Sequence, residues 1–229
     1  MQLRSGELLD RHRAEWTRCL RTVMPKMPRV SFVRGFPTEI ALTLDEFLAH
    51  APALFVTAPI QKVYLRLTGG EEDRLQGLRR LADSPYLLRL THLDLDGGRI
   101  GDAGARVLAK TPHLHPLTHL DLSYNRMGDE GVRALAASPH LRSLTHLYLS
   151  GNRIGDGGVR ALAASPHLRC LTHLYLSGNR IGDEGAGALM ESPHLRDCNV
   201  PLEDNPHIGQ AQRIRLARWK AAARGVGKE

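Results

Sequence analysis

Cysteine and aromatic residues are scarce in this chain. Three cysteines, Cys19, Cys170 and Cys198, are scattered over 229 residues. An odd number at that spacing excludes a disulfide framework and fits reduced thiols in a cytoplasm-like compartment. Aromatic residues make up 5% of the chain, so the core has to be largely aliphatic. No apolar run approaches about 18 residues, which excludes a transmembrane helix. The start, MQLRSGELLDRHRAEW, has no apolar stretch and carries charges of both signs, so no export signal is expected. Catalytic signatures are absent too: there is no G-x-S-x-G, phosphate loop or C-x-x-C, and GGRIGDAG at 97–104 departs from G-x-G-x-x-G. With no nucleophile-and-base pair in a plausible pocket, no enzyme activity and no cofactor are expected.

Charge is plentiful but unevenly placed. The formal net charge is +7 and the pI about 9.7. Between Leu90 and Val200, 11 Lys or Arg balance 11 Asp or Glu, and the excess lies in the flanks, +4 before and +3 after. A solenoid that binds nucleic acid is expected to carry a basic stripe along its repeats. This middle is neutral, which disfavours nucleic acid.

What is abundant is repetition. Leu90, Leu117, Leu144 and Leu171 open near-identical segments 27 residues apart, and LTHLYLSGNRIGD occurs twice, at 144–156 and 171–183. In each unit L-x-x-L-x-L alternates buried and exposed positions with a strand's period. GDEGVRALAASPH then reads as a helix: Val132, Leu135 and Ala136 share one face, Asp129 is placed to cap the first turn, and Pro139 stops it. One such unit cannot bury its own edges, whereas stacked units can. Strands stack about 4.8 Å apart and helices about 10 Å, so the stack must curve with its strands inside.

The pattern L-x-x-L-x-L-x-x-N-x-I/M-G-D resembles the leucine-rich repeat family, and its helical outer segment resembles the ribonuclease-inhibitor-like subclass. The resemblance implies an α/β fold: a right-handed curved solenoid with a parallel concave sheet and convex helices. It also implies that Asn125, Asn152 and Asn179 hydrogen-bond the turns of neighbouring coils, while Gly98 takes that place in the first full unit. Residues 60–209 hold one divergent unit, four full units and a half unit, in which Asn205 falls outside the 27-residue phase. Residues 1–59 do not repeat and predict a small α+β cap. It has a helix over LLDRHRAEWTRCL, extended pieces around Gly35 and Pro37, and a helix opened by a Thr43–Glu46 capping box. Trp16, Arg34 to Phe36, the TLDEFLAHAPALF run and Pro59 resemble the repeat-companion module of planctomycete-type bacterial proteins, which implies a bacterial origin. Residues 210–229 predict a capping helix with Ile214, Ala217 and Ala221 inward and Arg213, Arg218 and Lys220 outward. The rival reading of that tail is a basic helix for nucleic acid or an anionic membrane.

Exposed strand positions form three columns: His92, His119, His146 and His173; Asp94, Asp121, Tyr148 and Tyr175; and Asp96, Ser123, Ser150 and Ser177. These twelve are the expected partner-binding residues, so the expected function is a protein-interaction scaffold working through its concave face. Its alternative is binding of nucleic acid or an anionic surface through the basic flanks. Parallel histidines cannot readily converge on one ion at about 2 Å, so no metal site is expected. Asp94 and Asp121 are expected to protect His92 and His119, leaving His146 and His173 with depressed proton affinity. His113, His140, His167 and His194 are expected to cap the S/T-P-H-L turns. The arginine column Arg99, Arg126, Arg153 and Arg180 is expected to be compensated by Asp102, Asp129, Asp156 and Asp183.

Overall fold

The computed structural model describes residues 5–24, 29–33 and 36–225. Arg34 and Gly35, part of the expected extended segment, lie outside them, as does the side chain of Lys220. One sheet of seven strands runs in chain order: β1 (Arg29–Val33), β2 (Phe36–Thr43), β3 (Lys62–Arg66), β4 (His92–Asp94), β5 (His119–Asp121), β6 (His146–Tyr148) and β7 (His173–Tyr175). β1 and β2 are antiparallel, and each later pair is parallel. Helices α1 (Ser5–Val23) and α2 (Leu44–Thr57) belong to the N-terminal segment. α3 (Glu71–Ala82), α4 (Gly101–Ala109), α5 (Asp129–Ala136), α6 (Asp156–Ala164) and α7 (Asp183–Glu191) follow strands β3 to β7 in turn, and α8 (Gln210–Gly225) closes the series. The result is a leucine-rich-repeat solenoid with an α+β cap. The cap shares its sheet with the repeats, since β2 pairs directly with β3.

The core is one aliphatic ladder. Leu93, Leu120, Leu147 and Leu174 stand in register on adjacent strands and are at most 1% exposed. Val132, Leu135, Val159 and Leu162 meet them from the helices. The capping box of α2 is present: Thr43 N–H donates to Glu46 Oε2 at 2.8 Å, and Glu46 N–H donates to Thr43 Oγ1 at 3.2 Å. Trp16 and Phe36 of the cap pack at 6.0 Å between ring centroids.

Strands of three residues leave most of each coil's backbone outside the sheet, and side chains serve it. Asn152 Oδ1 accepts from the N–H groups of Asn125 and Met127, while Nδ2 donates to the carbonyls of Leu122 and Leu149, all at 3.0 Å. On the helical side Ser138, Ser165 and Ser192 each donate to an alanine carbonyl one coil back, Ala109, Ala136 and Ala163. These serines also accept from the backbone N–H of His140, His167 and His194. Those turns are thus capped by serine, not by the imidazoles expected there, although His113 Nδ1 lies 3.2 Å from the Ala82 carbonyl.

The aspartates differ from expectation. Asp129 does not cap its own helix, whose N-cap is Gly128 without a side-chain bond. Asp102 Oδ1 accepts from Gly128 N–H and Gly131 N–H at 2.8 and 2.9 Å, and Asp129 and Asp156 likewise take Gly155 N–H and Gly182 N–H at 2.7 Å. Each aspartate therefore caps the helix of the following coil. Among the described residues none pairs with the arginine column. This contact explains a buried glycine inside the helix, because a Cβ on Gly131 would lie 2.6 Å from Asp102 Oδ1.

The last coil also corrects the sequence reading. Asn205 is fully buried: Oδ1 accepts from Ile181 N–H at 3.1 Å, and Nδ2 donates to Leu176 and Leu202 carbonyls at 3.0 Å. It is a true rung. Leu174 N–H and Leu176 N–H bond to the carbonyls of Asn199 and Pro201, so this coil loses one residue before Val200 and regains it between Asn205 and Ile208. In α8 the inward residues are Gln212 and Leu216, each 6% exposed, whereas Ile214 is 49% exposed and Ala217 and Ala221 are exposed too. Gln212 Nε2 donates to Asp183 O and fixes that rotation at 3.2 Å.

Two outcomes follow from this geometry. Asn205→Ala costs as much stability as Asn152→Ala, about 1–3 kcal/mol each, because both leave buried backbone groups unpaired; urea denaturation of the two variants measures it. Leu216→Asp lowers the denaturation midpoint strongly and Ile214→Asp leaves it within about 0.5 kcal/mol of the parent, since only Leu216 is buried.

Candidate functional site

On each strand the residues between the buried leucines point away from the helices, and parallel pairing aligns them into rows. The first row runs Glu39, Lys62, His92, His119, His146, His173 and Asn199. The second runs Tyr64, Asp94, Asp121, Tyr148 and Tyr175. Tyr64 was missed in the sequence because α3 lengthens the divergent coil and moves this strand out of the 27-residue phase. Its signal was the V-Y-L alternation beside Val63 and Leu65.

The four imidazoles are stacked, with centroids 3.8, 4.1 and 4.3 Å apart and planes within 15°. Threonines hold them. Thr118 Oγ1 donates to the Thr91 carbonyl at 3.1 Å and lies 2.9 Å from His119 Nδ1; Thr145 repeats this with Thr118 and His146, and Thr172 with Thr145 and His173. A hydroxyl whose proton goes to the carbonyl accepts from Nδ1–H, which assigns the neutral tautomer with Nε2 as the open acceptor.

Titration differs from expectation at His92 and His119 and follows it at His146. Burial within the stack, then the neighbouring His92 and His146, pushes His119 down to about 4. Burial, and after it Lys62, lowers His92, and burial followed by His173 lowers His146. The aspartates do not protect the first two histidines: burial dominates both, and the carboxylate that partly offsets it at His92 is Glu39. Asp94 is itself raised by burial and then, against its bond from Asp96 N–H, by Asp121; Asp96 is raised by burial and then by Asp121.

Tyr148 and Tyr175 stack at 4.5 Å with planes 4° apart, both partly buried. Burial, and next Tyr175, raises the Tyr148 phenol. The third row is the least uniform. Asp96 is exposed and Ser150 half-buried, Ser177 Oγ donates to Glu203 at 2.9 Å, but Ser123 is 8% exposed, a correction to its expected place on the open face. Its carbonyl accepts from Gly97 N–H and Asn125 Nδ2, which draws it into the turn.

A cavity of about 260 Å³ opens over the second row, lined by Tyr64, His92, Asp94, His119, Asp121 and Tyr148. Parallel stacked rings keep their in-plane lone pairs apart, and among the described residues no group of three or more His, Cys, Asp or Glu is placed to hold a metal ion. Cys198 stands buried in a leucine position, and burial pushes its thiol up to about 12. Among the described residues no helix is long and apolar enough to cross a membrane.

Residues 90–109, 113–136, 140–163 and 167–190 match the Leucine Rich repeat family. Among solved structures, leiomodin-1 actin-binding site 2 is similar at 18% identity over 70% of this chain and 93% of its own, with a TM-score of 0.46. An internalin, InlF, from Listeria monocytogenes is similar at 17% identity over 62% of this chain and 47% of its own, with a TM-score of 0.29. No curated protein matches the sequence.

The histidine stack makes stability depend on acid. His119 binds its proton near 4 in the folded chain and near ~6.5 when unfolded, so the unfolded state takes up protons first as pH falls. Stability is therefore complete above about pH 6.5 and is lost progressively down to about pH 4. NMR titration is expected to place His119 well below ordinary imidazoles, and His119→Asn to flatten the pH dependence of the urea midpoint across that window.

Proposed function

We propose that this leucine-rich-repeat protein is a non-catalytic scaffold that binds a protein partner through the concave face of its sheet. The observation that carries this reading is the pair of continuous side-chain rows on that face. They are aligned and preorganised by the threonines and by mutual stacking, and they lie outside the buried aliphatic core. Rigid aromatic anchors bind at low entropic cost, which puts Tyr148 and Tyr175 at the centre, with His92, His119, His146, His173, Asp94, Asp96, Asp121, Ser150 and Ser177 around them.

Residues 1–59 and 210–229 act in this reading as end caps for an array at 60–209. The outer helices support the ribonuclease-inhibitor-like subclass, and the contact of Trp16 with Phe36 at 6.0 Å suits a companion module of the planctomycete-type bacterial kind. The free cysteines suit a reducing, cytoplasmic setting. The rival reading, anion binding by the basic flanks, draws less support because α8 engages Arg213 and Arg215 at home. Arg213 donates to the carbonyls of Ile208 and Asn205, and Arg215 to Gln212 Oε1.

The strands offer an inner face on the order of 350–450 Å², about half of the roughly 800 Å² that a stable interface takes from each partner. A partner must also cover the turn edge, where Tyr124 is 63% exposed.

The test is a pull-down from the native cell followed by calorimetry on four variants. Tyr148→Ala and Tyr175→Ala each weaken partner binding by about 1–3 kcal/mol. Because the rings are stacked, each also costs about 0.5–1.5 kcal/mol of stability, so affinities are compared at temperatures where all variants are folded. Arg133→Ala and Arg160→Ala, on exposed helical positions paired with Glu130 and Glu184, leave affinity unchanged. Critical arginines with dispensable tyrosines would put the partner on the convex side and refute the proposal.

A further inference from the structure

We propose that the cavity over Asp94 and Asp121, walled by Tyr64 and Tyr148, seats one arginine side chain presented by an extended basic segment of the partner. This rests on the concave-face reading above and adds the chemistry that the face selects.

The argument starts from charge. Asp94 and Asp121 are register neighbours on adjacent parallel strands, which places their side chains about 5 Å apart. Each has one oxygen engaged by the backbone: Asp94 Oδ1 accepts from Asp96 N–H at 2.9 Å and Asp121 Oδ1 from Ser123 N–H at 2.8 Å. Their other oxygens have no ion pair among the described residues. None of the cations nearby pairs with Asp94 or Asp121 among the described residues. Lys62 is held by Glu39 at 2.7 Å. Arg29 and Arg66 line an adjoining cavity that shares Tyr64 and Asp94 and also holds Glu46 and Asp96, and among the described residues neither arginine forms an ion pair with an aspartate. The carboxylates thus face each other half-buried, and both Asp94 and Asp96 hold their protons more tightly than usual, first through burial and then through Asp121. A cation between them removes that repulsion.

Shape selects which cation. The row continues as tyrosine on both sides, Tyr64 before Asp94 and Tyr148 after Asp121. Aromatic faces flanking a carboxylate pair suit a guanidinium, which is planar, stacks on rings and donates to two acceptors at once. A cavity of about 260 Å³ lies just below the ~300 Å³ at which small-molecule sites begin, so it fits one long side chain. The imidazoles on its other wall are uncharged at neutral pH, since burial lowers both His92 and His119, and they do not oppose a cation.

The experiment titrates the full chain by NMR and calorimetry with three ten-residue probes, alternating Gly with Arg, Lys or Gln. The arginine probe is expected to bind at least tenfold tighter than the glutamine probe and several-fold tighter than the lysine probe. It should also shift the resonances of Tyr64, Asp94, Asp121 and Tyr148. Asp94→Asn with Asp121→Asn keeps both Oδ1 acceptors and so keeps the fold, and it should abolish the preference for arginine. Tyr64→Ala should weaken the arginine probe about fivefold and leave the glutamine probe unchanged. Equal binding of arginine and glutamine probes on the concave face overturns this inference and leaves the scaffold reading standing. Equal binding of lysine and arginine overturns the choice of guanidinium. Absence of binding, or shifts confined to the helices α4 to α7, overturns the inference, and the pull-down variants above then decide the scaffold reading separately.

Discussion

The structure depends on hydrogen bonds from asparagine side chains between neighbouring coils. A strand of three residues followed by a sharp turn leaves buried amide groups that no sheet can pair, and a buried unpaired amide is costly. Asn152 meets five of them, accepting from Asn125 and Met127 N–H and donating to Leu122, Leu149 and Ser150 carbonyls. Asn125, Asn179 and Asn205 do comparable work at their own levels. With the turn satisfied, strands can be short and coils can lie at sheet spacing on the inside while helices set the wider spacing outside. The concave face is a consequence of that geometry.

A second layer of polar side chains tunes the fit. Threonine hydroxyls join successive coils at the start of each strand, serine hydroxyls at the end of each helix, and aspartates at its beginning. Each reaches a backbone atom in an adjacent coil. Polar residues that look like surface decoration in a single unit are therefore interface residues of the stack. The threonines also orient the imidazoles, so stacking and packing use the same hydroxyl group.

Much of this was legible in the sequence, because the 27-residue period fixes which residues become neighbours once the coils stack. The leucine ladder, the His and Tyr columns and the Thr43–Glu46 capping box follow from period and local chemistry alone, and the role of Asn152 from the resemblance to leucine-rich repeats. What was not legible depended on contacts between coils or on breaks in phase. Asp129 read as a cap for its own helix and serves the next. Ser123 alternated as an exposed residue and is drawn into a turn. Tyr64 and Asn205 lie where the period slips, so counting by 27 passed over both. The face of α8 was misjudged because its alanines and arginines have weak periodicity, and Gln212, whose bond to Asp183 O sets the rotation, is polar. His146 is lowered as expected, but His92 and His119 are lowered too, because dehydration in the stack acts on each of them, which no linear pattern reports.

The final coil shows that the inner and outer layers keep separate time. One residue is missing before Val200 and one is added after Asn205, yet Gly209 N–H still reaches Asp183 Oδ1 at 2.7 Å, as Gly182 N–H reaches Asp156 in the coil before. The hand-over from one coil to the next is thus a standard joint, the same at four successive junctions. Such a joint lets whole units be spliced in or cut out by unequal recombination without disturbing either terminus. Each exchange would lengthen or shorten the sheet by one strand's width, about 4.8 Å, with the same joint at the new boundary.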